Sequence, residues 1–191
     1  MRALNNFSYL ILALAVVVPT FLGISLTLGP VGMAAVPALI ATVLIDFVVL
    51  GGVWLALRPG PPDITAPEDL ARLVRGGRPV VVELYSNYCL ICMANRQIIK
   101  FAATSMRGAA RFVRVELPTP AGRAIGDANG VRYTPSYLIF DEHGDLVRTI
   151  VPDNVTPLAN GYRVLDENGA VLRRAQRVSP ELLVDLVRFA T

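Results

Sequence analysis

From Phe7 to Leu28 the chain runs for 22 residues without a charged side chain, and from Val31 to Leu57 for 27 more, interrupted only by Asp46. A helix needs about 20 apolar residues to cross the hydrocarbon of a bilayer, and a helix satisfies its own backbone there, so each run is long enough to span. A cleaved secretory leader is the competing reading of the first run, because Arg2 gives it a basic start. The run is longer than the 7–15 or so apolar residues of a leader, and a second run follows at once. We therefore expect a transmembrane helical hairpin over residues 1–57, with spans at about 7–28 and 33–57 and a connection at Gly29-Pro30-Val31-Gly32.

Asp46 is the exception inside the second span. An acid in a membrane helix is costly and faces a protein partner or water. Thr42 lies one turn earlier and is placed to share a hydrogen bond with it. Ala34, Ala38 and Thr42 make a stripe of small residues at spacing four, which lets helices approach closely. These four residues are candidates for holding the hairpin together or for docking it into a larger membrane complex.

Residues 58–191 contain 17 Lys and Arg against 14 Asp and Glu, in a chain of net charge +3. Basic residues scattered among apolar ones form a solvated face that attracts lipid headgroups, and they exclude a nucleic-acid-binding role. Arg2, Arg58, Arg72 and Arg75 lie beside the terminal ends of the spans and the connection carries no charge. The positive-inside rule thus places the domain on the cytoplasmic side of the cell membrane, an extracytoplasmic domain being the alternative.

Arg58-Pro59-Gly60-Pro61-Pro62 has the composition of a stiff linker that lifts the domain off the membrane. Beyond it, Thr65 and Glu68 have the spacing of a capping box for a helix through Leu70, Leu73 and Val74. Pro79 to Tyr85 reads as a buried strand, nearly all apolar and rich in β-branched residues. Met93 to Ala103 has helical spacing of Ile98, Ile99 and Ala102. Arg111 to Leu117 is a second strand, Ala121 to Ala128 a short helix, Tyr137 to Phe140 a third strand and Asp145 to Val151 a fourth. Ser179-Pro180-Glu181 opens a last helix whose Leu182, Leu183, Leu186, Val187 and Ala190 face inward. Phe140–Arg148 (FDEHGDLVR) recurs at an offset of 25 residues as Leu165–Arg173 (LDENGAVLR), which we read as two β-hairpins, the second extending the sheet.

The only two cysteines, Cys89 and Cys92, stand where the first strand gives way to a helix. A thiol attacks as the thiolate, and the unpaired amides of a helix's first turn stabilise that charge. Two cysteines three apart there can close a small disulfide ring, Cys89 attacking and Cys92 resolving. An inert apolar pair or a static disulfide is the bland alternative. A metal clip needs more ligands than the pair and His143, in a distant turn, can supply, so no metal is expected. Glu83, in an apolar strand, must be paired or shift its pKa upward if buried; at an edge it would face water.

The segments VVVELYSNYCLICM (80–93) and NGVRYTPSYLIF (129–140) resemble the thioredoxin superfamily. The resemblance covers residues 63–191 and implies an α/β, thioredoxin-like fold: a central mixed sheet flanked by helices, here with an extra C-terminal β-hairpin. It implies that Glu83, six residues before Cys89, moves protons to and from Cys92. It also makes Pro135 a cis-proline whose loop, with Thr134 and Tyr88, binds the partner chain beside an accessible Cys89. Leu90-Ile91 stands where thioredoxins have Gly-Pro, and Tyr88 where they have Trp. The function expected is a membrane-tethered thiol-disulfide oxidoreductase acting on cysteine-containing protein substrates. It needs no cofactor beyond its redox-active Cys89–Cys92 disulfide. The alternative is an accessory or assembly subunit of a membrane complex, with the domain a redox-inactive binding surface.

Overall fold

The structure, a computed structural model, describes residues 5–28, 36–153 and 161–188. Its first elements are two helices long and apolar enough to cross a membrane. Helix α1 spans Ser8–Leu28 and α2 spans Val36–Leu57, and the two pack on each other. Their outer faces are exposed among the described residues: Leu26 is 80% exposed and Phe47 78%. A contiguous apolar surface of this kind needs lipid or protein around it. The expected connection, residues 29–32, lies outside the described residues.

Among the described residues that follow, six strands build one sheet in the order β2-β1-β3-β4-β5-β6. Strand β1 (Val80–Tyr85) is buried along its whole length and lies parallel to β2 (Arg111–Glu116). On its other side β1 pairs antiparallel with β3 (Ser136–Phe140). Antiparallel pairing continues through β4 (Leu146–Pro152), β5 (Tyr162–Leu165) and β6 (Val171–Ala175).

Successive side chains of β1 point to opposite faces. Val80, Val82 and Leu84 pack with Leu70 and Val74 of α3 (Pro67–Val74) and Ile125 of α5 (Pro120–Ala128). Val81 packs with Ile99 and Ala102 of α4 (Leu90–Ser105) and with Leu182, Leu183 and Leu186 of α6 (Pro180–Arg188). Two helices thus cover each face, and α4, the crossover between the parallel strands, takes the face onto which Glu83 and Tyr85 also point. This is the thioredoxin-like sheet, mixed and flanked by helices, with the extra hairpin at its C-terminal edge. Ala190 lies outside the described residues.

The repeated segment is explained by its turns. In the first hairpin the Asp141 carboxylate accepts the amides of His143 and Asp145, each at 2.9 Å. In the second, Asp166 accepts those of Asn168 and Ala170, at 3.0 and 2.8 Å. Gly144 and Gly169 close the two turns at φ of +90° and +81°, a conformation that glycine adopts without strain.

Two local expectations are corrected. The N-cap of α3 is Ala66, without a side-chain cap, because Pro67 occupies the first helical turn and moves the start past Thr65. The linker does not hold the domain away. Gly60 N–H donates to Asn87 Oδ1 at 2.9 Å, and its carbonyl accepts from the Tyr85 hydroxyl at 2.6 Å. Arg114 donates to the carbonyls of Pro59 and Pro61, so 58–62 is stitched along the strand ends.

Helix α5 is seated by close backbone approach: a Cβ on Gly122 would collide with the Glu116 carbonyl and Leu117 Cα. Neither neighbour is the free end of a side chain. Gly122→Ala is therefore expected to lower stability by about 2 kcal/mol or more, whereas Gly108→Ala, with open space around its Cβ, leaves the melting temperature unchanged. Equal melting temperatures for the two variants would contradict this packing.

Candidate functional site

Strand β1 ends at Tyr85, and Ser86-Asn87-Tyr88 turns the chain into α4. Cys89 is the N-cap of α4, with extended backbone, and its Sγ accepts the Cys92 amide at 3.4 Å. This sulfur stands in for the oxygen that usually caps a helix, so a free donor of the first turn points at it. The Cys89 thiol also lies 3.8 Å from the Thr134 carbonyl. The Thr134–Pro135 peptide is cis. Helix start and proline loop, 45 residues apart in sequence, therefore meet at one sulfur. Both cysteines are free thiols.

Glu83 lies in a central strand, opposite Arg114 on β2 and Tyr137 on β3, and is 3% exposed. The edge-strand reading is thereby excluded. Burial raises its pKa to about 8, with the Arg114 charge pulling back and the negative charge of Cys89 adding to the rise. For Cys89, a hydrogen bond with the Cys92 thiol lowers the pKa to about 7, helped by Thr134 and the first-turn amides and opposed by burial. Burial, then the bond to Cys89, pushes Cys92 well up. The pair is therefore asymmetric: the thiol at the helix mouth is pulled down and the inner one pushed up, beside a carboxyl raised to about 8.

The site is not open, and here an expectation fails. Cys89 and Cys92 are each 1% exposed. The residues around them are bonded to residues 5–9, which lead into and begin α1. The Thr134 amide donates to Asn5 Oδ1 at 2.7 Å, and the Thr134 hydroxyl to Asn6 Oδ1 at 3.1 Å. The Ser86 hydroxyl donates to the Asn6 carbonyl at 2.6 Å, and the Leu90 amide, first of α4, to Ser8 Oγ at 2.9 Å. Tyr9 N–H donates to the Tyr88 carbonyl at 2.8 Å. Asn5, Asn6 and Ser8 are themselves buried.

Tyr88 is held from the same side. Its ring stacks on Trp54 of α2, with centroids 5.5 Å apart, and touches Phe7 at 5.9 Å. Trp54 Nε1–H donates to the Asn87 carbonyl at 2.9 Å, and the Arg58 guanidinium lies 4.7 Å above the indole. Sequence reasoning misses Asn5, Asn6, Ser8, Trp54 and Asn87. The sole cue is a pair of amide side chains, Asn5-Asn6, placed directly before an apolar run.

In the hairpin, Asp46 Oδ2 is inaccessible and has no hydrogen-bond partner among the described residues. Thr42 does not share a bond with it: its hydroxyl donates to the Ala38 carbonyl at 3.0 Å, the usual back-bond of a helical threonine. Ala38 is exposed, and Ala34 lies outside the described residues. His143 is in the exposed turn, 3.7 Å from Glu142.

No protein-family model matches the chain, and no curated protein matches it either. Among solved structures it is similar to a mutant thioredoxin from Halobacterium salinarum, with 15% identity and a TM-score of 0.44 over 67% of this chain and 96% of that one. A thioredoxin from Thermus thermophilus gives 18% identity and 0.36, over 64% and 81%. A chain solved for the thiol resolving mechanism of yeast mitochondrial 1-Cys peroxiredoxin via glutathione/thioredoxin systems gives 11% and 0.43, over 66% and 92%. The part beyond the two apolar helices has a thioredoxin-like fold on its own strand order and helix placement.

The raised pKa of Glu83 makes a prediction about stability. Its folded value, about 8, lies above the ordinary 4.5, so its contribution is full below pH 4.5 and is lost as pH rises through 8. Thermal melts of the full chain in detergent at pH 5.5 and 8.5 should fall more steeply for wild type than for Glu83→Gln, which cannot ionise. Parallel pH profiles would show that Glu83 is not buried as described.

Proposed function

We propose that the chain is a membrane-tethered thiol-disulfide oxidoreductase acting on protein cysteines near the membrane. The observation that carries the reading is the Cys89 sulfur, capping α4 and lying against the Thr134–Pro135 loop with a second thiol behind it. Cys89 thiolate attacks one sulfur of a substrate disulfide. A mixed disulfide forms, and the substrate's other sulfur leaves as a thiolate. With the Cys89 charge consumed in the mixed disulfide, one cause of the raised Glu83 pKa is gone and Glu83 loses its proton to solvent more readily; the resulting carboxylate takes the Cys92 proton, and Cys92 attacks Cys89 Sγ. The Cys89–Cys92 disulfide closes and the second substrate sulfur is released, to be protonated from Glu83 or water. Two electrons pass from the pair to the substrate, and the reverse sequence oxidises a substrate dithiol.

Thr134, Pro135 and Tyr88 form the face on which the partner is oriented. The hairpin supplies the tether. Trp54 and Arg58, at the end of α2 nearest the site, are the residue types that anchor at the headgroup level, which favours substrates at the membrane surface. The arginine distribution supports a cytoplasmic placement of the domain.

A second reading, an accessory subunit of a membrane complex, is favoured by two observations: both sulfurs are covered, and Asp46 Oδ2 has no partner among the described residues. Variants separate the two. Cys89→Ser should abolish reduction of protein disulfides by the purified full chain, and Cys92→Ser should accumulate a mixed disulfide detectable by mass. In the unsubstituted chain the initial rate of reaction with a substrate disulfide should climb with pH through about 7, where Cys89 ionises. Activity that survives Cys89→Ser, or a phenotype confined to Asp46→Ala, would favour the accessory subunit.

A further inference from the structure

The groups that residues 5–9 occupy are the ones an incoming polypeptide would use. Thr134 N–H, the Leu90 amide and the Tyr88 carbonyl are backbone donors and acceptors ringed around Cys89, and each is taken by the N-terminal segment. An extended partner chain placing a cysteine against Cys89 offers the same kinds of group: carbonyls for the two amides and an N–H for the carbonyl. Two chains cannot hold one set of donors.

We propose that residues 5–9 are an internal ligand of the partner-binding face, a strap that an incoming cysteine-containing segment displaces. For its consequence, control of access to the dithiol, the proposal rests on the oxidoreductase reading. For its physics it rests on the contacts alone.

The contacts are of a displaceable kind. Asn5 and Asn6 accept through side-chain oxygens, and Ser8 through its hydroxyl. The Thr134 and Leu90 amides and the Tyr88 carbonyl exchange these bonds on displacement for equivalent ones to the partner's backbone. Phe7 adds a ring contact with Tyr88, centroids 5.9 Å apart. Because Ser8 and Tyr9 are the first residues of α1, and the Tyr9 hydroxyl also bonds the Leu50 carbonyl of α2, the strap's position is tied to the seating of the hairpin. Lifting it moves residues 5–7 and the first two residues of α1, and leaves the sheet, α4 and the Thr134–Pro135 loop as they are.

The test uses the reduced full chain in detergent micelles with Cys92→Ser, so that Cys89 is the sole thiol. The rate of its modification by a maleimide-tagged polyethylene glycol is measured. Asn5→Ala with Asn6→Ala is expected to raise that rate at least tenfold. Asn5→Asp, which keeps an acceptor for the Thr134 amide, should stay near the unsubstituted rate, and Asn168→Ala in the remote turn should not change it. Should the double variant fail to fold, Asn5→Leu alone removes the acceptor and is expected to give the same direction. Equal rates for all variants, or a starting rate as fast as in denaturant, overturn the strap. Reduction of a disulfide-bonded model protein, assayed with both cysteines present, separates the two proposals. Faster labelling without reductase activity upholds the strap and removes the oxidoreductase reading, while full activity with unchanged labelling does the reverse.

Discussion

An amide aimed at a sulfur organises this molecule. The Cys92 N–H that Cys89 caps lies at the start of α4, and that start is placed by β1, a strand buried along its length and paired on both sides. With neighbours on both edges and helices on both faces, β1 cannot shift register without turning apolar side chains to the wrong face. The point where it releases the chain is therefore set, and α4 begins there. Strand β3, the partner of β1 on its other edge, leads back to Pro135, so the same pairing that locates the thiol locates the loop beside it.

The cost of the arrangement is concentrated at Glu83. A carboxyl in the middle of a sheet is held neutral by burial over most of the physiological range, and it weakens the fold as it ionises. Such a group is poorly explained by stability. Between an outer thiol that ionises early and an inner one that holds its proton, a carboxyl near neutrality is suited to proton exchange. Tyr137, opposite it on β3, has a buried hydroxyl without a hydrogen-bond partner among the described residues, another departure from a purely structural core.

Much of this is legible in the chain itself. Strand β1 shows as an apolar β-branched run, the hairpin turns as a repeated Asp–Gly segment, and the dithiol as a pair at a strand-to-helix junction. What escapes is of two kinds. Local competition defeats one motif: Thr65 and Glu68 have capping-box spacing, yet Pro67 starts the helix after Ala66. Distance defeats the rest. The roof over the site joins Asn5 to Thr134 across 129 residues and Ser8 to Leu90 across 82, and no periodicity records such contacts. The Pro-rich stretch reads as a spacer for the same reason, since its partners Asn87 and Arg114 come later in the chain.

The apolar helical pair and the dithiol site thus form one structure, with the start of α1 and the end of α2 bonded to the residues around the cysteines. Its central chemical claim is that Cys89 and Cys92 exchange two electrons reversibly. Equilibrating the full chain in lipid nanodiscs with graded ratios of reduced and oxidised dithiothreitol, then quenching and weighing it, tests that claim most directly. The account predicts a single transition from two alkylated thiols to none, fitting a two-electron couple. Two thiols that stay alkylatable at every poise, or a bond that forms and never reopens, would contradict it.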